Sequence, residues 1–247
     1  MKILGVIPSR YSSTRLPGKP LIDIDGKTMI RRVYEQSQKA SLLNHLVVAT
    51  DDERIVKEVE SFGGNVILTS AHHQSGTDRC AEVAEKISGY DVIINIQGDE
   101  PLINPSQINL LAQCFEKSTT QIATLAKKIE TYSELYNFGT PKLILNRASE
   151  ALYFSRQAIP HLRDVKPDEW LNEHTFYKHI GIYGFLTDTL LKIKNLPTSS
   201  LEKMEMLEQL RWLENGFKIN VAITEIETLS VDSPEDVEKV LAVLRGV

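Results

Sequence analysis

Cysteine is scarce in this sequence, and the apolar runs that mark secreted or membrane proteins are missing. The 247 residues include 2 cysteines, too few for a disulfide framework, and Cys80 and Cys114 fit no paired metal-ligand spacing. The N-terminal apolar run, Ile3 to Ile7, is too short for a signal-peptide core, and no stretch approaches membrane-spanning length. These absences predict a cytoplasmic, reducing location in which both cysteines are small buried side chains.

An excess of positive charge is also missing. The chain carries 28 Lys+Arg against 33 Asp+Glu, which argues against a nucleic-acid or membrane-surface protein. The charge is nevertheless uneven, because residues 1–50 hold 8 basic and 3 acidic side chains and leave 20 and 30 for the remainder. Length and composition predict a single large domain, residues 1–247, that carries a smaller subdomain.

Two common nucleotide-binding motifs are absent. No Gly-x-Gly-x-x-Gly follows the first predicted strand, which excludes a typical dinucleotide-binding dehydrogenase. Gly26-Lys27-Thr28 resembles the end of a P-loop, but Leu21 stands where the leading glycine is required. The tripeptide also lies about twenty residues after the first strand, whereas a P-loop follows its strand directly. We interpret it as a turn followed by a helix cap.

What the sequence does contain is an alternation of strand and helix patterns. It predicts an α/β fold with a three-layer, mostly parallel, Rossmann-like sheet. Short apolar runs at roughly 121–190 break the alternation and predict an antiparallel insertion subdomain. Ser199-x-x-Glu202 predicts the start of one long helix ending at Gly216. The other predicted strands are His45–Thr50, Val66–Thr69 and Asp91–Gln97, and the other predicted helices are Met29–Ala40, Glu53–Phe62, one from a cap at Thr77 to Ser88, one opening at Asn104-Pro105 and one opening at Ser233.

The loop after the first strand concentrates basic side chains. Arg10, Arg15 and Lys19 stand among small residues and glycine between the strand and the first helix. Guanidinium and ammonium groups make charge-assisted hydrogen bonds to phosphate oxygens. A loop at the carboxyl end of a strand is also where open α/β sheets bind ligands. The loop therefore favours a polyphosphate site, with a solvated basic loop as the alternative.

Two aspartates follow predicted strands. Asp99 lies in Gln97-Gly98-Asp99-Glu100-Pro101, and Asp232 lies in Val231-Asp232-Ser233-Pro234. Mg²⁺ is usually held by one or two carboxylates together with phosphate and water. If the two aspartates meet in space, they complete a magnesium site; the alternative is that each caps a turn or a helix.

Seven independent strings stand out along the chain: IPSRYSSTRLPGKPL (7–21), HQSGTDR (73–79), NIQGDEP (95–101), ALYFSR (151–156), HIGIYGF (179–185), LEKMEMLEQLR (201–211) and VDSPEDVEKV (231–240). In this order they resemble one family of enzymes, the 3-deoxy-manno-octulosonate cytidylyltransferases, also called CMP-Kdo synthetases. The resemblance runs nearly end to end. The chain departs from the usual pattern of the family around Thr140-Pro141-Lys142 and Asn146–Glu150, which affects details of the subdomain.

The resemblance implies transfer of CMP from CTP to the anomeric hydroxyl of 3-deoxy-D-manno-octulosonate (Kdo) for lipopolysaccharide synthesis, with Mg²⁺ as cofactor and a homodimer as the assembly. The implied catalytic residues are Arg10, Lys19, Asp99 and Asp232, of which Asp99 and Asp232 hold the metal. The implied nucleotide-binding residues are Arg10, Ser13, Arg15, Lys19, Gln74, Ser75, Thr77 and Arg79. The implied sugar-binding residues are Gln97, Arg156, His179, Tyr183, Glu208 and Gln209.

Alternatives remain at this point. The acceptor can be another acidic sugar, namely 8-amino-Kdo, sialic acid or pseudaminic acid, and a non-enzymatic nucleotide-binding module is disfavoured by the presence of both aspartates, Arg10 and Lys19. Without the resemblance, His179 and Tyr183 can simply line a half-buried strand face. Glu208 and Gln209 are then solvent-facing and Arg156 forms a surface ion pair.

Overall fold

The fold is built on a nine-stranded mixed β-sheet with helices packed on both faces, and a separate two-stranded antiparallel sheet follows the first strand. The computed structural model describes residues 1–12 and 16–246. The strands are β1 (Ile3–Ser9), β2 (Asp23–Ile24), β3 (Lys27–Thr28), β4 (His45–Thr50), β5 (Val66–Leu68), β6 (Val92–Asn95), β7 (Ile122–Lys128), β8 (Lys142–Leu145), β9 (Ala151–Ser155), β10 (Tyr177–Leu186) and β11 (Ile219–Ile223). The α-helices are α1 (Met29–Ser37), α2 (Glu53–Ser61), α3 (Gly76–Lys86), α4 (Pro105–Gln113), α5 (Tyr132–Leu135), α6 (Trp170–Glu173), α7 (Thr187–Ile193), α8 (Ser200–Glu205), α9 (Gln209–Glu214) and α10 (Pro234–Arg245), and single 3₁₀ turns span Lys19–Leu21, Cys114–Glu116 and Pro167–Glu169.

The main sheet has the strand order β11-β7-β10-β6-β1-β4-β5. Strand β1 is parallel to β4 and β6, β5 is parallel to β4, and β11 is parallel to β7, whereas β10 is antiparallel to both of its neighbours, β6 and β7. The predicted three-layer, mostly parallel α/β fold is therefore confirmed. Starting from β1, the chain adds β4 and β5 on one side of the sheet and then β6 on the other side. Open α/β sheets form a ligand-binding crevice at such a reversal, which here lies between β1 and β6.

The central strands are apolar on both sides because helices cover both faces of the sheet. In β1, Ile3 and Ile7 face one helical layer while Leu4 and Val6 face the other. Helices α1, α2, α4 and α10 form the first layer, and α3, α7 and α9 form the second. Among the described residues, no helix is long and apolar enough to cross a membrane.

Part of the chain between β7 and β10 forms a smaller unit beside the main sheet. Strand β8 pairs antiparallel with β10 and with β9. A separate small core of Ile129, Leu135, Trp170 and Phe176 packs under this part of the chain. Strands β7 and β10, at the two ends of the segment 121–190, belong to the main sheet.

Two helix predictions are corrected by the structure. Helix α3 begins after Ser75, whose side chain accepts from the amide of Asp78 while the Asp78 carboxylate accepts from the amide of Ser75. This reciprocal capping box displaces the predicted cap at Thr77, whose hydroxyl has another partner. The predicted long helix from Ser199 is broken into α8 and α9, because Met206 adopts φ 52° and ends α8 in the left-handed region.

The segment after β11 runs from the far edge of the sheet to the carboxyl end of β6; we call residues 224–232 the crossing segment. The amide of Thr224 donates to the carbonyl of Ala126 (2.9 Å), at the end of β7. Lys178 on β10 donates from Nζ to both carboxylate oxygens of Glu227, each at 2.8 Å. The amide of Val231 then donates to the carbonyl of Asp99 (2.9 Å). The crossing segment thus carries Asp232 across the sheet to Asp99.

Candidate active site

A cleft of about 430 Å³ opens at the carboxyl ends of β1 and β6, the crevice expected from the strand order. Gly98 permits the close packing at its floor, because a Cβ at this position would lie 2.9 Å from the carbonyl oxygen of Pro8. The cleft combines cations, carboxylates and small residues. The residues that line it are Pro8, Ser9, Arg10, Ser12, Lys19, Pro20, Gln97, Gly98, Asp99 and Asp232.

The structure brings Lys19, Asp99 and Asp232 together, although they are far apart in sequence. Lys19 Nζ lies 2.7 Å from Asp99 Oδ2 and 3.1 Å from Asp232 Oδ1, and it donates to the carbonyl of Val231 over 2.6 Å. The side chains of Asp99 and Asp232 are 28% and 40% exposed, so both carboxylates remain open to the cleft. Burial, together with the charge of Asp99, raises the pKa of the adjacent Glu100 to about 8, so Glu100 adds little charge here near neutral pH.

Lys19 and Arg10 approach the cleft from the loop after β1. Lys19 begins a 3₁₀ turn directly after Gly18, whose φ of 70° is a conformation that favours glycine. Arg10 is exposed and lines the cleft. Ser13 and Arg15, predicted to belong to the same loop, lie outside the described residues.

The residues predicted for the nucleotide loop surround the start of α3. Gln74 donates to the carbonyl of His72 (3.0 Å), and Ser75 caps the helix. Thr77 is 2% exposed, and its hydroxyl donates to Glu208 Oε2 over 2.7 Å. Arg79 is 1% exposed and donates to Thr69 and to Asp51, so in this structure its guanidinium holds the ends of β4 and β5 and does not open to the cleft.

The predicted sugar-binding residues on β10 stand beside a bulge. The register of β10 against β7 shifts between Ile180 and Tyr183, and Gln97 Nε2 donates to the carbonyl of Gly181 within this bulge over 2.8 Å. Thr124 donates its hydroxyl to the carbonyl of Ile182 (2.7 Å) and faces His179 Nε2 at 2.9 Å. Burial lowers the pKa of His179 to about 3, so the imidazole is neutral, with Nε2 as the donor to Thr124.

Buried polar atoms without a hydrogen-bond partner gather near this strand. In the described part of the chain they include the hydroxyl of Tyr183, Nε2 of Gln209 and Oδ1 of Asn95, which lies opposite Tyr183 in the register of β6 and β10. Buried polar groups are normally satisfied, so these atoms are available for hydrogen bonds to a polar ligand or to water. Tyr183 also packs edge-on against Trp212, with ring centroids 5.0 Å apart.

Glu208 and Arg156 are held largely by the protein itself. Glu208 accepts from Thr77 at one oxygen and from Arg211 Nη2 (2.6 Å) at the other, while burial raises the pKa of its carboxyl. Arg156 donates to the carbonyls of Glu205 (2.7 Å), Phe138 (3.1 Å) and Met206 (3.2 Å). Neither side chain is simply solvent-facing. Arg156 joins β9 to the break between α8 and α9.

Sequence reasoning missed several groups of the cleft. Pro8, Ser9 and Ser12 line it beside Arg10, and the carbonyl of Val231 completes the environment of Lys19. These residues stand close to Arg10 and Asp232 in the quoted motifs, so the motifs could have indicated them. Asn95 begins the NIQGDEP string, but its orphaned oxygen is seen only in the packed structure.

Comparisons with known proteins agree with this geometry. Residues 4–219 match the family model described as cytidylyltransferase. The chain is 56% identical to a 3-deoxy-manno-octulosonate cytidylyltransferase of Parabacteroides distasonis (99% of this chain and 98% of the relative) and 54% identical to one of Bacteroides thetaiotaomicron (96% of each). A solved structure of CMP:2-keto-3-deoxy-manno-octonic acid synthetase complexed with CTP superposes with a TM-score of 0.93 at 40% identity, covering 100% of this chain and 99% of that one. The resemblance seen in the sequence is thus confirmed, and the chain belongs to the 3-deoxy-manno-octulosonate cytidylyltransferases, a family of nucleotidyltransferases.

Proposed function

We propose that this protein transfers CMP from CTP to the anomeric hydroxyl of Kdo and releases pyrophosphate. The observation that carries the proposal is the cleft between β1 and β6, where Lys19 contacts the carboxylates of Asp99 and Asp232 and Arg10 lines the same space. Arginine and lysine cations bind polyphosphates through charge-assisted hydrogen bonds, and carboxylates bind hard metal ions. The names of the relatives, at 54–56% identity over nearly the whole chain, support Kdo as the acceptor.

The residues of the cleft fit a magnesium ion held by Asp99 and Asp232. Their oxygens are close enough to contact one common cation, because the ammonium of Lys19 reaches both, at 2.7 and 3.1 Å. Carboxylate oxygens are the ligands that Mg²⁺ prefers, and two are enough when phosphate and water supply the rest. When bound, the ion supplies positive charge that orients the α-phosphate and the sugar and makes the sugar hydroxyl easier to deprotonate.

Arg10 and Lys19 are proposed to bind the triphosphate and to stabilise the reaction electrostatically. The sugar oxygen attacks the α-phosphorus, the bond from that phosphorus to the leaving pyrophosphate breaks, and the hydroxyl proton passes to solvent water. Negative charge grows on the pyrophosphate during this step, and cations held in place beforehand stabilise it. Ser13 and Arg15 are proposed to shape the same loop, with Gln74 and Ser75 beside the nucleotide and the buried Thr77 and Arg79 supporting that loop from within.

Arg10→Ala and Lys19→Ala are expected to lose roughly 3 kcal/mol or more in kcat/KM for CTP. Matched controls are Arg31→Ala and Lys27→Ala, because both side chains pair with Glu35 away from the cleft. If Lys19→Ala leaves the CTP kinetics unchanged, the loop is a solvated basic surface and not a polyphosphate site.

The sugar pocket is proposed to read the hydroxyls of Kdo through Gln97, Arg156, His179, Tyr183, Glu208 and Gln209. The unpartnered hydroxyl of Tyr183 and amide of Gln209 support this part most directly, because a bound polyol completes their hydrogen bonds. A site of this kind strongly rejects analogues that lack the matching groups, since its own polar atoms are then left unpaired. His179, neutral and bonded to Thr124, contributes a fixed orientation and no charge.

We further propose the setting in which the enzyme works: the cytoplasm, in lipopolysaccharide synthesis, as a homodimer of single-domain chains that each carry an antiparallel subdomain. Exposed apolar side chains near β8 and β9 support this subdomain as the dimer contact. Phe138, Leu152 and Met206 are 61%, 58% and 76% exposed, and Arg156 links the backbones of Phe138 and Met206. Equilibrium sedimentation of Leu152→Glu should give monomer if this surface is the contact, and an unchanged dimer contradicts it.

Pyrophosphate release in the presence of CTP and Mg²⁺ tests the function. Kdo should support turnover well above the rate without sugar, and N-acetylneuraminate, 8-amino-Kdo and pseudaminic acid serve as competing acceptors. The longer tail and acetamido group of N-acetylneuraminate should reduce its kcat/KM. Comparable kcat/KM for Kdo and N-acetylneuraminate refutes the specificity but leaves cytidylyl transfer intact, whereas no release with any sugar refutes the reaction.

A further inference from the structure

The ammonium of Lys19 lies between the two carboxylates that are proposed to hold the metal. Its three acceptors are Asp99 Oδ2 at 2.7 Å, Asp232 Oδ1 at 3.1 Å and the carbonyl of Val231 at 2.6 Å. A protonated amine has three donors, so this set accounts for all of them. The side chain of Lys19 is 15% exposed, which makes the group well enclosed by protein.

The carboxylate oxygens that accept from the ammonium of Lys19 are also the proposed ligands of a divalent cation, and they cannot bind both equally well. A metal that contacts Asp99 and Asp232 faces the charge of Lys19 at close range, and like charges repel strongly where water is partly excluded. Binding of the metal alone therefore has to displace an ion pair that already exists. The free-energy cost of this displacement is lowest when the displaced ammonium of Lys19 pairs with another anion.

The ammonium of Lys19 can move away from the two aspartates while the backbone of Lys19 stays in place. The amide of Gly18 donates to the carbonyl of Tyr11 (3.1 Å), and the amide of Leu21 donates to the carbonyl of Gly18 (2.8 Å), which fixes the 3₁₀ turn. The ammonium, by contrast, stands at the end of a flexible four-carbon side chain. Arg10 lines the same cleft, so a triphosphate bound there is within the region that Lys19 can reach.

We propose that Lys19 is an exchangeable counter-ion of the metal site. In the absence of ligands it pairs with Asp99 and Asp232; when a metal takes those carboxylates, the ammonium moves to the triphosphate. The proposal rests on the proposed function, since it takes Asp99 and Asp232 as metal ligands. It makes the binding of metal and nucleotide mutually dependent, because the triphosphate supplies the partner that the metal removes from Lys19.

Titration of the enzyme with Mn²⁺ alone, followed by electron paramagnetic resonance without nucleotide or sugar, tests the exchange. Lys19→Met removes the competing charge, so its affinity for Mn²⁺ should exceed that of the wild type by on the order of tenfold or more. Lys19→Arg keeps the charge and should bind Mn²⁺ as weakly as the wild type. Lys27→Met, which removes a lysine paired with Glu35 on the surface, should leave the affinity unchanged.

Location and folding are checked in the same experiment. Adding Asp99→Asn to Lys19→Met should abolish the gain, which assigns the Mn²⁺ to these carboxylates. If Lys19→Met does not fold, Lys19→Gln provides the same loss of charge with a polar side chain. Equal or weaker Mn²⁺ affinity in the folded, neutral variant overturns the proposal. The proposed function is judged separately, by Kdo-dependent turnover of the wild type.

Discussion

The hydrogen bond between Thr77 and Glu208 connects the proposed nucleotide loop to the helix of the proposed sugar pocket, and its removal has a calculable cost. Thr77 belongs to α3, and Glu208 immediately precedes α9. The bond is 2.7 Å long and Thr77 is 2% exposed, while the Glu208 side chain is 26% exposed. A hydrogen bond to a charged group contributes about 1.5–3 kcal/mol. Thr77→Val keeps the shape and removes the donor, so we expect a loss near the lower end, about 1.5–2 kcal/mol, because Glu208 keeps some contact with water.

Urea denaturation at neutral pH measures this loss, and the chain offers a matched control. Thr120 is 1% exposed, and its hydroxyl has no hydrogen-bond partner in the part of the chain that the structure describes. Thr120→Val therefore exchanges an unsatisfied hydroxyl for a methyl group and should leave the free energy of unfolding unchanged or raise it. Thr77→Val should also raise the KM for both CTP and Kdo, since the bond holds parts of both subsites. A free energy of unfolding within about 0.5 kcal/mol of the wild type for Thr77→Val refutes the reasoning.

Three further predictions concern the metal, the sugar and pH. Asp99→Asn and Asp232→Asn should each reduce kcat by several orders of magnitude at an unchanged melting temperature, and near-normal turnover at saturating Mg²⁺ contradicts the assignment of that residue. Gln209→Ala and His179→Ala should raise the KM for Kdo more than the KM for CTP; the opposite order in steady-state kinetics would move these residues out of the sugar pocket. Because burial lowers the pKa of His179 to about 3, the unfolded chain binds more protons than the folded one between that value and about 6.5. Stability attributable to His179 is therefore lost as pH falls through this window, and His179→Gln should lose less stability than the wild type between pH 7 and pH 4 in the same denaturation assay.

The parts of the fold that follow from local sequence were predicted well. The apolar run His45–Thr50 is β4 with the same bounds, and Asn104 caps a helix with proline at its first position, as the sequence indicates. The break after α8 could not be predicted in this way. Met206 occupies a left-handed conformation while Arg156 binds its carbonyl, and Glu205 accepts from Ser155 and from the amide of Arg156, so the break depends on contacts with β9.

The same distinction applies to the site. The motifs placed Lys19 in the loop after the first strand and Asp99 just past another strand, and the structure brings the two side chains together. Asp232 reaches them through the crossing segment, whose route depends on Lys178 and Ala126, residues that no motif links to it. Arg79 is the opposite case, because its motif predicted a nucleotide-binding role. The motif does not reveal that the side chain is buried and donates hydrogen bonds to Asp51 and Thr69.

The crossing segment has a consequence for hydrogen exchange. Asp99 and Asp232 are joined through the protein by the bond from the Val231 amide to the Asp99 carbonyl, and the proposed shared cation would replace the bridge that Lys19 makes between the two carboxylates. Local opening of the segment then requires release of the cation, so the ligand protects amides that it does not touch. At a concentration one hundred times its dissociation constant, a ligand adds about 2.7 kcal/mol to such an opening, which corresponds to about a hundredfold slower exchange. The amide of Val231 is thus a reporter of metal binding that requires neither substrate nor turnover.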